Sequence, residues 1–183
     1  KLKDYFSPTG LLARYYRKLY GNDRLAQLDD PDTKKPKLLI LATNLTKASV
    51  CSFGSKGFRS SPDVDESLCR GAHHLRTADA VAASSAFPGL FPPFHLYHDS
   101  INWDLEKDYH NTDQFIADGG IYDNIGSRAL GLLDELESND ILIVSDAGAT
   151  VGYAVTDSMR FVVPSVLRTI NIIMDRKDGE ERD

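Results

Sequence analysis

At 183 residues and 42% apolar content, the chain has the material for one globular domain with a real core. Its net charge of −6, with acidic and basic residues interspersed, leaves no basic stripe for nucleic acid, and no apolar run reaches the ~18 residues needed to cross a bilayer. Two cysteines, Cys51 and Cys69, outside any Cys-x-x-Cys spacing, argue against a disulfide framework or a cysteine-based zinc or redox motif and favour a reducing, cytoplasmic setting.

Leu11, Leu12, Tyr15, Tyr16 and Leu19 recur at helical spacing after Ser7-Pro8, a pair suited to helix entry, and Gly21-Asn22 supplies the stop. These five residues are expected to form the buried face of an amphipathic helix. The opening segment, Lys1 to Tyr20, carries charges and aromatic rings but no signal-peptide core. Polar, proline-containing residues 29–36 read as a connector, and Lys37 to Thr43 is a short apolar run of the kind that makes a buried strand. Val50 to Phe53 and a weaker Gly57 to Ser60 follow as paired strands around Gly54-Ser55.

Small residues dominate from Arg76 to Ser84 (Ala78, Ala80, Ala82, Ala83), which suits a helix packed close to a sheet and ending before Pro88. Residues 87–113 are long, aromatic and proline-rich, with Phe87, Phe91, Phe94, Tyr97 and Trp103, and are expected to form an ordered, functional loop. Phe87, Phe91, Phe94 and Tyr97 either line an apolar pocket, act as a lid or pin the loop to the core; pinning is favoured. Phe115, Ile116 and Ala117 then approach Asp118-Gly119-Gly120, a helix is expected to start near Ser127 with Ala129 to Leu136 as its apolar face, and Asp140 to Ser145 reads as a further strand. Strand, turn, helix, strand in this order predicts a βαβ unit with a parallel pair, hence an α/β fold with a mostly parallel or mixed sheet and flanking helices. A last helix is expected from Pro164 to Arg176, and residues 176–183 read as a frayed tail.

Among chemical candidates Asp118 stands first. A carboxylate at the end of a short strand, before glycines that let the chain turn, is fixed in direction, and a helix start nearby favours its ionised form. The plainer reading is a simple turn. Ser84 and Ser85 lack flanking glycines and read as a helix end, while Ser127 after Gly126 reads as an N-cap. The histidines His73, His74, His95, His98 and His110 include His95-x-x-His98-Asp99, the closest approach to a metal spacing. That segment lacks helical support and a third dependable ligand, so no metal and no other cofactor is predicted. Asp146, after the second apolar strand, and Asp123 are better explained as turn residues.

Three pieces together resemble the patatin-like lipid acyl hydrolases: the strand ending in Ala42-Thr43-Asn44-Leu45 after Pro36, the segment Ala82 to Pro93, and Asp118-Gly119-Gly120 with Asn124 beyond. Members of that family typically carry Ser-Ala-x-Pro-x-x-Phe-Pro-Pro, which residues 85–93 match, followed some tens of residues later by Asp-Gly-Gly or Asp-Gly-Ala. The resemblance covers roughly residues 5–150. It implies a three-layer α/β/α core and a serine–aspartate dyad that cleaves acyl esters of lipids, with Asp118 as the acid and general base, Gly119 and Gly120 as its supporting turn, and no metal or histidine. The family's nucleophile sits in a Gly-x-Ser-x-Gly elbow, and neither that motif nor the glycine-rich oxyanion loop occurs here.

The chain, which does not begin with Met, is therefore expected to be the C-terminal portion of such a catalytic domain, residues 1–183 forming a single domain that is inert without the missing N-terminal part. Its partners would be that part and a lipid or acyl-ester substrate; a membrane surface is compatible with such a substrate, though no segment demands one. The competing reading is a non-catalytic α/β binding or scaffold module. A nucleotide-binding domain ranks last, since no Gly-x-Gly-x-x-Gly or Walker lysine follows either apolar strand.

Overall fold

The computed structural model describes residues 2–28, 38–60, 74–100, 112–123, 126, 166–170 and 172. The chain divides into two compact units, 1–119 and 120–183. In the second, residues 166–170 and 172 are helical, within the span expected for the last helix. The connector 29–36, the helix expected over Ala129 to Leu136 and the strand over Asp140 to Ser145, hence the βαβ unit, lie outside the described residues, as do Cys69, His73, Trp103, His110, Asn124, Ser127, Asp146 and the tail.

The first unit opens with a short helix α1 (Leu2–Tyr5) and the helix α2 (Pro8–Tyr20). Ser7 caps α2: its Oγ accepts from the Gly10 N–H at 3.0 Å and donates to the Asp4 carbonyl at 2.7 Å, so one hydroxyl closes the corner between the two helices. Pro8 occupies the first turn, where its missing N–H costs nothing, and Gly21 ends the helix at φ 64, a left-handed conformation.

The buried face of α2 differs from expectation. Thr9 and Ala13 are its buried residues, whereas Leu11, Tyr15 and Leu19 are exposed, Leu19 by 61%. The reason is the partner. Helix α3 (Thr77–Ser84) buries Thr77, Ala78, Ala80, Ala82 and Ala83, and packs against both α2 and the sheet. A small-residue face on α2 matches a small-residue helix at short range, and large side chains there would hold the two apart. Arg17 on α2 adds a 2.7 Å ion pair to Asp79 on α3.

Among the described residues five strands form one sheet: β1 (Ile40–Asn44), β2 (Ser49–Gly54), β3 (Gly57–Arg59), β4 (Phe94–Leu96) and β5 (Gln114–Ala117), in the order β3-β2-β1-β5-β4. The expectation of a mostly parallel or mixed sheet is corrected. Every pairing among the described residues is antiparallel. Strands β1 to β3 are joined by the turn Leu45–Ala48 and by Ser55-Lys56, connections that reverse the chain and are far too short for the crossover a parallel pair needs. Strand β4 arises inside the segment read as a loop, with His95 opposite Phe115 on β5. Sheet and helices together make an α/β fold.

The core gathers Leu25, Ala42, Cys51, Phe53, Phe58, Ala80, Ala83, Leu96 and Ile116. Phe53 and Phe58 face each other across β2 and β3 with ring centroids 4.9 Å apart, each burial contributing about 1.5–3 kcal/mol. Burial pushes the Cys51 thiol up, which removes it as a nucleophile. At the end of β1 the fully buried Asn44 has all four bonding positions filled. Its NH₂ donates to the Ser60 carbonyl (3.2 Å) and Gln114 Oε1 (3.0 Å), and its oxygen accepts from the Thr46 and Lys47 N–H groups. This one side chain fixes the β1–β2 turn and ties it to β5.

Candidate active site

Asp118 directly follows β5, half-buried, and its main chain is bonded on both flanks. Its N–H donates to the Ala86 carbonyl at 3.1 Å, and its own carbonyl accepts from Thr43 Oγ1 at 2.8 Å. Ala86 lies two residues beyond the end of α3, inside the Ser85-Ala86-Phe87-Pro88 motif, and Thr43 lies on β1 opposite Ala117. Three separate parts of the sequence thus meet at one residue, Asp118. The direction in which Asp118 leaves the sheet is set by backbone bonds.

Gly119 enters a single 3-10 turn, Gly119–Ile121. Neither Gly119 nor Gly120 adopts a left-handed φ, so freedom to turn is not what position 119 needs from glycine. Proximity is. A Cβ at 119 would stand 2.9 Å from the Leu41 carbonyl oxygen and 3.2 Å from its carbon, on the backbone of β1. The glycine lets the chain leaving β5 press against the neighbouring strand, which keeps Asp118 close to Thr43.

Ser85 sits at the C-terminal end of α3, its hydroxyl donating to the Val81 carbonyl at 2.8 Å and accepting from Tyr16 at 3.4 Å, so it serves the helix end. Asp123, in the second unit, accepts from the Gly126 N–H at 2.6 Å, a turn contact.

His95 and His98 belong to a different corner. Asp113 binds both: its Oδ2 lies 2.7 Å from His95 Nε2, and its Oδ1 lies 2.9 Å from His98 Nδ1 and accepts the His98 N–H at 3.0 Å. His95 stacks on Phe115 at 4.7 Å, and Asp4 accepts the Tyr97 hydroxyl, pinning α1 to the end of β4. The Asp4 carboxylate holds the phenol proton in place, which pushes Tyr97 up to about 12. Asp4, His95 and Tyr97 border a cavity of about 290 Å³ between the first helices and β4, which Phe94 also helps to line and Asp118 does not. Among the described residues no group of three or more His, Cys, Asp or Glu side chains could hold a metal ion.

The backbone N–H and ring of His98, followed by His95, hold the Asp113 carboxyl well below its ordinary value of 3.8. A carboxyl with a depressed folded value stabilises the fold above its unfolded value, and that stabilisation is lost as pH falls through the folded one. Asp113→Asn is therefore expected to lower the thermal midpoint at pH 7. The gap between variant and parent should close as the solution is acidified below pH 4. A gap that stays constant down to pH 2 would show that the charge on Asp113 contributes nothing.

The sequence singles out Asp118, Gly119 and Gly120 but assigns no role to Thr43 or to the Ala86 carbonyl. The available signal was a polar pair, Thr43-Asn44, closing an otherwise apolar strand: buried polar groups in such a place must find partners.

A family model described as Patatin-like phospholipase matches residues 3–130, more than two thirds of the chain. No curated protein and no solved structure matches it. No helix among the described residues is long and apolar enough to cross a membrane.

Proposed function

Since the chain belongs to the patatin-like phospholipase family, whose members generally hydrolyse lipid esters, we propose that it carries the acid half of a serine–aspartate dyad, with Asp118 as general base. The nucleophile in this reading is a serine in a Gly-x-Ser-x-Gly elbow outside these 183 residues, on a three-layer α/β/α core completed by that segment. Asp118 takes the serine proton as the hydroxyl attacks the ester carbonyl. The carbonyl π bond opens to an oxyanion, which collapses to release the alcohol carrying the proton from Asp118; water, losing a proton to the same base, then attacks the acyl-enzyme, and cleavage of the serine–acyl bond frees the fatty acid as the serine oxygen takes that proton back. No metal takes part, and the isolated chain is inert.

The observation that carries this reading is the convergence on Asp118. Its peptide is bonded to Ala86 in the Ser-Ala-x-Pro segment on one side and to Thr43 at the end of β1 on the other. A general base has to be held at a fixed distance from a group it does not touch covalently, and two hydrogen bonds to its main chain from separate segments do that better than a free turn.

The test is labelling of the full-length protein with a fluorophosphonate, alongside fatty-acid release from phosphatidylcholine vesicles. One serine should be modified and fatty acid released. A folded protein that neither takes the label nor hydrolyses any ester would be a non-catalytic binding module, and the proposal would fall.

A further inference from the structure

The paired backbone between β1 and β5 is short. Its register consists of Thr43 opposite Ala117 and Asn44 opposite Ile116, and it stops one residue before Asp118. Past that point the link between the strands passes to a side chain: the Thr43 hydroxyl donates to the Asp118 carbonyl at 2.8 Å, with the Gly119 carbonyl oxygen farther off at 3.5 Å. Thr43 is only 4% exposed, so its hydroxyl is screened from water and the Asp118 carbonyl is its near partner. Valine would fill the same space and suit the strand equally well. What threonine adds is one directed bond to the peptide unit that bears the carboxylate.

We infer that Thr43 is a positioning residue for the hydrolase, extending the β1–β5 ladder by one side-chain bond and fixing the angle at which Asp118 meets the nucleophile. This rests on the reading of Asp118 as general base. The Asp118 N–H is held by Ala86 whether or not the Thr43 bond is made, so losing the Thr43 hydroxyl changes the restraint on the carbonyl side of the residue. Such a change misaligns the base without unfolding the sheet.

In the full-length enzyme Thr43→Val should reduce kcat on the order of 10²-fold, with KM for the ester unchanged, because a displacement near 1 Å at the reacting group costs about that much. Thr43→Ser, which keeps the hydroxyl and drops the methyl, should restore most of the rate. A second pair removes dependence on how valine is tolerated: Thr43→Ser against Thr43→Ala differs by the hydroxyl alone and should show the same split. The proposal is overturned if serine and alanine variants lose equal activity, or if the valine variant keeps the parent kcat. Asp118→Asn in the same assay separates the two ideas. An inactive Asp118→Asn beside a fully active Thr43→Val would remove the positioning role and leave the base; an active Asp118→Asn would remove both.

Discussion

Asp118→Asn in the full-length protein is expected to lower ester turnover by about 10²- to 10⁴-fold, the range a positioned general base contributes. The substitution is isosteric. Two of the bonds made by residue 118 belong to its main chain, the N–H to Ala86 and the carbonyl to Thr43, and both survive the change. Under the proposed role, what disappears is the ability to accept the serine proton. Thermal midpoint and KM should stay close to the parent values while kcat collapses, the pattern of an interaction made only in the transition state. Fluorophosphonate labelling should slow in parallel, since it reads the same activated hydroxyl. Turnover within a small factor of the parent would mean that another group takes the proton.

Gly119→Ala should be the most damaging small substitution near the site, for a steric reason. The added methyl carbon would meet the Leu41 carbonyl oxygen at 2.9 Å, its carbon at 3.2 Å and the Ala42 Cα at 3.6 Å, all of them backbone. Strand β1 cannot retreat, because on its other side Leu41 and Ala42 are paired with Ser52 and Cys51 of β2. Residue 119 must move instead, and it carries Asp118 with it. A loss of about 1–3 kcal/mol in unfolding free energy is expected, as for overpacking elsewhere, read as a lower denaturant midpoint with an unchanged slope. Activity at a temperature where the variant remains folded should still drop by roughly 10²-fold, the cost of displacing the base. If the alanine variant matches the parent in both stability and rate, the close approach of the two strands has no bearing on the site.

The elements that could be read in the sequence are those specified by neighbours in the chain. The bounds of α2 follow from Ser7, Pro8 and Gly21, each acting within a few residues, and the apolar run at Leu39 to Ala42 specifies a strand whatever lies beside it. Which side of α2 is buried was not legible, because that depends on α3, some sixty residues later, being built from alanine. Sheet direction failed for a similar reason: periodicity identifies strands, not their partners, and Phe94 to Leu96 gave no alternation amid prolines. At the site, Asp118 could be singled out from its own surroundings and from the family resemblance. The reason for Gly119 could not, since it lies in a contact with Leu41, and neither could the bond from Thr43. Both are facts about two strands far apart in sequence.

The strand order has a further consequence, for the sequence of events in folding. The meander β1-β2-β3 closes through loops of a few residues, so it can zip up early and at low entropic cost. Docking of β5 beside β1 must bring together groups 75 positions apart, the separation between Thr43 and Asp118. The corner that holds Asp118 is accordingly expected to be among the last parts to assemble and the first to open, and amide exchange at Asp118 should report sub-global openings that leave the β1-β2-β3 ribbon intact.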